Sequence, residues 1–119
     1  MFRQMLAEMI RSVDGAFGAT FLDRQGECVE TVSIEVSRYQ MQVIGAYNGI
    51  FLEQARRMCN AVDHGEPNHY KIEWERVVMY NCVLVDGYYL VLIARKGTNE
   101  AIAWRELYRC RDLLIKEMV

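Results

Sequence analysis

Hydrophobic and polar positions divide this chain into eight short blocks. Phe2, Met5, Leu6, Met9, Ile10 and Val13 recur at helical spacing, with Arg3, Gln4, Glu8 and Arg11 opposite, which predicts an amphipathic helix over 2–13. Asp14-Gly15 ends it. Ala16 to Leu22 reads as a strand whose small residues, Ala16, Gly18 and Ala19, would let a helix pack closely on the sheet. Asp23-Arg24-Gln25-Gly26 has the composition of a hairpin turn, and Glu27 to Val32 is the returning strand.

A long helix follows. Ser37 fits an N-cap, Gln40 completes a capping box, and Val36 and Met41 occupy the staple positions. Gly65 suits the left-handed cap at the far end, and Pro67, the only proline, blocks continuation. The helix should span roughly 26 residues, about 40 Å. Its apolar positions fall into two stripes. Met41, Ile44, Phe51, Ala55, Met58 and Val62 form one, wide enough to face a sheet. Tyr39, Val43, Ala46 and Ile50 form the second, with Gly45 and Gly49 between it and the charged positions. Glycine within a helix costs about 1 kcal/mol relative to alanine, so a pair on one face suggests close approach of another backbone. The second stripe faces either a second protein or another part of the same fold.

After Pro67, Tyr70, Ile72 and Trp74 alternate with His69, Lys71, Glu73 and Glu75, the pattern of a strand near a sheet edge. Val77 to Val85 and Tyr88 to Ala94 are nearly continuous apolar runs, as central strands covered on both faces would be. Asp86-Gly87 between them signals a type I′ hairpin. Thr98 is the expected N-cap of a last helix, with Glu100 in its first turn. Ala103, Leu107, Cys110, Leu114 and Met118 line one stripe of that helix; Arg105, Arg109, Asp112 and Lys116 form a solvated back. The order α-β-β-α-β-β-β-α predicts an α+β fold, with a mainly antiparallel five-stranded sheet carrying helices on both faces, in one domain over 1–119.

Composition narrows the function. Net charge is −2 with no basic run, which disfavours nucleic acid. No apolar run reaches the about 18 residues of a membrane span, and the first residues lack a secretory pattern, so a cytoplasmic location is expected. Cys28, Cys59, Cys82 and Cys110 are scattered, without metal-ligand spacing, and suit buried thiols in a reducing compartment. His64 and His69 have no Ser or Cys beside them in a nucleophile motif. Gly15-Ala16-Phe17-Gly18 lacks the phosphate-loop pattern and follows a helix rather than a strand. The carboxylate pairs Asp63/Glu66 and Glu73/Glu75 fall where surface charge is expected. No catalytic, cofactor or metal residue is assigned, and a non-enzymatic role is expected.

The chain offers surface for association instead. If the edge strand pairs with its own copy about an axis at Ile72, Lys71 of each chain faces Glu73 of the other. Such pairing removes an exposed edge and brings the second stripe of the long helix against its symmetry mate.

The segments DGAFGATFLDRQGECVETVS and VDGYYLVLIARKGTNEAIAWREL, flanking the long helix, resemble the Roadblock family. That family includes dynein light chains, Ragulator scaffold subunits and MglB-type partners of small Ras-like GTPases. The resemblance spans essentially the whole chain, although its motifs are loose and profilin-like and longin folds share parts of the layout. It implies that the first and last helices cover one sheet face and the long helix the other. It also implies a homodimer or heterodimer through the third strand and long helix, which in MglB-like proteins binds a Ras-like GTPase and promotes its hydrolysis without supplying an arginine finger. Carried over by position, the dimer surface would comprise Tyr39, Val43, Gly45, Ala46, Gly49, Ile50, Lys71, Ile72, Glu73, Trp74 and Glu75. Exposed residues of the same layer, Arg38, Gln42, Tyr47, Glu53 and Arg57, would meet the GTPase. A structural adaptor in a motor or signalling complex is the alternative. A PAS- or GAF-like sensor is a third, which would need an apolar pocket between sheet and long helix near Phe51 or Trp74.

Overall fold

The computed structural model describes residues 1–118. Its elements are α1 (Phe2–Ser12), β1 (Ala16–Leu22), β2 (Cys28–Ser33), α2 (Arg38–Ala61), β3 (His69–Glu73), β4 (Val77–Val83), β5 (Tyr89–Arg95) and α3 (Glu100–Met118). The strands form one antiparallel sheet in the order β2-β1-β5-β4-β3. This is the α+β order expected from the sequence. The apolar runs β1, β4 and β5 are the three central strands, and β2 and β3 are the edges.

The two sheet faces carry separate cores. On one, Leu6, Met9 and Ile10 of α1 and Ala103, Leu107, Cys110 and Leu114 of α3 pack on Phe21, Tyr80, Leu90 and Leu92. On the other, Met41 and Leu52 of α2 pack on Leu22, Met79, Tyr89, Val91 and Ile93. Burial raises the pKa of the Cys110 thiol to about 12 and pushes that of Cys82 up as well, so both stay protonated and unreactive at neutral pH.

Local signals decide the turns. Asp86 and Gly87 have φ of 56° and 80°, both positive as a type I′ hairpin requires. Asp23 Oδ1 accepts from the backbone N–H groups of Gln25 and Glu27, and Gly26 takes φ 85°. The Ser37–Gln40 capping box is formed in both directions. The long helix nevertheless stops earlier than expected. Asp63, not Gly65, takes the first left-handed conformation (φ 56°), and the His64 N–H turns back to the Cys59 carbonyl, so α2 has 24 residues. Thr98 is not the cap of α3 either. Its hydroxyl donates to the Arg95 carbonyl, and Asn99 Oδ1 accepts the Ile102 N–H instead.

Candidate functional site

The side of the molecule that the sequence singles out is built by α2, which packs over β1, β2 and β5, and by edge strand β3, which it reaches through side chains. What holds α2 there is a polar cluster. Asn48, fully buried, donates from Nδ2 to the Ile44 carbonyl and to Met79 Sδ, and its Oδ1 accepts from Tyr70 Oη and Asn81 Nδ2 at 2.9 and 3.0 Å. Tyr70 lies on β3 and Asn81 opposite it on β4, so the cluster ties the edge strand to the helix above. Burial raises the pKa of the Tyr70 hydroxyl, keeping it a neutral donor.

The helix packs closely because of its glycines. A Cβ on Gly45 would lie 2.5 Å from Leu22 Cδ2, and one on Gly49 would lie 2.7 Å from Tyr89 Oη. Tyr89 Oη donates to the Gly45 carbonyl at 3.1 Å, and burial raises its pKa to about 12. Both glycines thus serve the helix–sheet contact, correcting the expectation that they approach a second body. The sheet-facing stripe is Met41, Gly45, Asn48 and Leu52. Phe51, Met58 and Val62, assigned to the sheet from the sequence, are exposed. Phe51 is turned towards β3, where it joins Val43 but not Ala46 and Ile50 of the expected second stripe.

The result is an uncovered apolar groove along the β3 side of α2. Val43, Ile44, Tyr47 and Phe51 form one wall, Ile72, Trp74 and Met79 the other, around a volume of about 370 Å³. It continues past Tyr39 and Val43 to Val36, Phe17 and Val77. Tyr39, Tyr47 and Trp74 are 73%, 58% and 42% exposed, large values for aromatic side chains grouped on one face. Ala46 and Ile50 sit on the other flank of the helix, beside Gly49 and the β1–β2 turn. Arg38, Gln42, Tyr47, Glu53 and Arg57 are exposed along α2. Tyr47 lines the groove with Phe51, while Glu53 pairs with Arg57 at 3.7 Å.

The edge strand has two unlike faces. Tyr70 and Ile72 turn towards α2. On the opposite face Lys71 Nζ binds Glu100 at 2.7 Å and Glu73 at 3.2 Å, while the His69 ring packs at a tilt against Trp104 and hydrogen-bonds with the Tyr108 hydroxyl. Hydrogen bonds to Glu100 and Glu73 hold the Lys71 pKa above its ordinary value, and the bond from Lys71 holds that of Glu100 below its own. Lys71 therefore already has carboxylate partners within its own chain. Trp74 and Glu75 lie beyond the end of β3, in the turn to β4.

Among the described residues, no three His, Cys, Asp or Glu side chains cluster in a way that could hold a metal ion. No helix of the described residues is long and apolar enough to cross a membrane.

An antiparallel sheet with one long helix above and two below, open at the strand beside that helix, defines a recognisable class. No family model and no curated protein matches the chain in sequence. Solved structures match its fold. A Roadblock/LC7 domain from Streptomyces avermitilis superposes with a TM-score of 0.90 at 12% identity, over 97% of this chain and 95% of that one. MglB from Myxococcus xanthus gives 0.88 at 11% identity, over 98% and 94%. An MglB structure described as having a tetrameric arrangement gives 0.86 at 15% identity, over 95% and 84%. The chain has the Roadblock/LC7 fold.

Proposed function

We propose that this protein is a non-enzymatic homodimeric scaffold that binds a small Ras-like GTPase and stimulates its GTP hydrolysis. The observation that carries the reading is the uncovered groove of Val43, Tyr47, Phe51, Ile72 and Trp74 beside the open edge of β3. A second copy paired along β3 would continue the sheet and lay its own α2 beside this one, covering apolar surface that an isolated chain exposes. The two-helix layer so formed would present Arg38, Gln42, Glu53 and Arg57 to the GTPase, while Tyr47 would be covered in the groove. Dimer pairing through Lys71 and Glu73 would exchange their intrachain partners for the same groups on the twin.

The GTPase part of the reading rests on the family resemblance and on MglB among the structures that share the fold. It is tested by single-turnover GTP hydrolysis with a Ras-like GTPase that co-purifies with the protein from its native source. Stoichiometric protein should raise the hydrolysis rate by about tenfold or more, a barrier reduction of about 1.4 kcal/mol. Binding without acceleration would leave the adaptor reading. The groove near Phe51 and Trp74 also lies where a ligand-sensor reading needs a pocket. A small apolar ligand and a second chain would compete for it, so a thermal-shift hit that also splits the dimer would favour the sensor.

A further inference from the structure

The two edges of the sheet are finished differently. At β3, the Asn68 carbonyl and the Trp74 N–H bond inward to β4. By alternation along the strand, the backbone groups of His69, Lys71 and Glu73 point outward. Among the described residues, no side chain hydrogen-bonds to them. At β2, the Ile34 N–H bonds inward to Phe17, so the backbone groups of Thr31 point outward. There both are taken. Glu30 Oε1 accepts the Thr31 N–H at 3.0 Å, and Arg3 of α1 donates to the Thr31 carbonyl at 3.1 Å. The same Arg3 nitrogen lies 3.5 Å from Glu30 Oε1. The two side chains occupy one donor and one acceptor, those of Thr31 in mid-strand, that a neighbouring strand would use. Beside them, the β1–β2 register shifts by one residue and leaves Val29 without a partner, a bulge that bends the edge.

We propose that Arg3 and Glu30 close the β2 edge against strand addition by a second copy of this chain, leaving β3 as the edge on which chains join. The part of this that concerns β3 rests on the dimer reading above; the closure of β2 does not. A partly exposed ion pair of this kind, with Arg3 in solvent and Glu30 half-buried, adds modestly to stability. Its effect is on competition. A strand arriving at β2 must displace a charge-assisted hydrogen bond from the Thr31 carbonyl and bury the Glu30 carboxylate without its donors. Val29, exposed and apolar on this edge, would otherwise favour pairing. The closed edge limits sheet extension to one side, so that a pair of chains is a finished assembly rather than a unit of a filament.

Sedimentation velocity on wild type and on the double variant Arg3→Ala/Glu30→Val tests the closure. The variant should form species at least about twice the wild-type mass, increasing with concentration, at concentrations where the wild type does not change. An identical mass distribution in a variant with native circular dichroism would overturn it. Amide hydrogen exchange on the wild type gives a second test that needs no variant. The outward Thr31 N–H should exchange about tenfold or more slowly than the outward Ser33 N–H, the effect of one hydrogen bond to a charged group. Equal rates would overturn the closure. If wild type is monomeric while the variant assembles, β2 closure stands and the dimer reading falls.

Discussion

Val43→Asp is expected to raise the dimer dissociation constant by about 30-fold or more, the effect of about 2 kcal/mol, while leaving the fold intact. Val43 is partly exposed and lies where the two lobes of the groove meet, touching the Trp74 side and the Tyr39 side. In a dimer that covers the groove, a carboxylate there would be buried without a partner. In an isolated chain it would simply be solvated, so the loss should appear in association and not in secondary structure. Sedimentation equilibrium gives the constant and far-ultraviolet circular dichroism checks the fold. An unchanged constant would place the interface elsewhere.

Gly45→Leu should act on the other side of the same helix. The new side chain would start 2.5 Å from Leu22 Cδ2, in a core where Leu22 and Met41 are fully buried. Either α2 lifts from β1 or Leu22 leaves its rotamer, and the Tyr89–Gly45 hydrogen bond stretches. A destabilisation of about 2–3 kcal/mol is expected. Urea unfolding of wild type and variant at one protein concentration measures it, because a dimer would add concentration-dependent stability. A variant as stable as wild type would mean that the helix does not approach the sheet as described.

These two substitutions separate the two apolar faces of a helix whose sequence shows two stripes. Much of the architecture is legible from local chemistry. Ser37 and Gln40, the Asp86-Gly87 turn and the apolar runs of β4 and β5 act on their nearest neighbours, so their composition suffices. The rotation of α2 is harder to read. Its sheet face includes Asn48, a residue that hydrophobic periodicity excludes. Asn48 can be buried only because Tyr70 and Asn81, distant in sequence, meet its amide. With Asn48 and Gly45 left out, the apolar count tilts towards Phe51, Met58 and Val62, all exposed. Glu106 is hidden in the same way. It is buried between α1 and α3 with Arg105 and Arg109 on its oxygens, where the sequence shows only an ordinary charged helix. For the candidate site, the edge strand and half of the groove follow from alternation. Phe51 and Tyr47 enter it only once the packing of Asn48 has fixed which way the helix turns.

The corrected orientation of α2 moves the candidate interface onto the groove. The glycines no longer imply a second backbone, and the surface left for a partner is formed by the exposed aromatic and aliphatic side chains of the groove. It also explains why one substitution at Gly49 is a poor probe of association: its Cβ would meet Tyr89, so a change there disturbs the fold first.

Two copies of this chain are proposed to associate through β3 and α2. Multi-angle light scattering of the purified protein at micromolar concentration decides this. A mass of about twice the 13.9 kDa chain is expected, reduced to a single chain by Val43→Asp. A wild-type mass of 13.9 kDa throughout the micromolar range would contradict it.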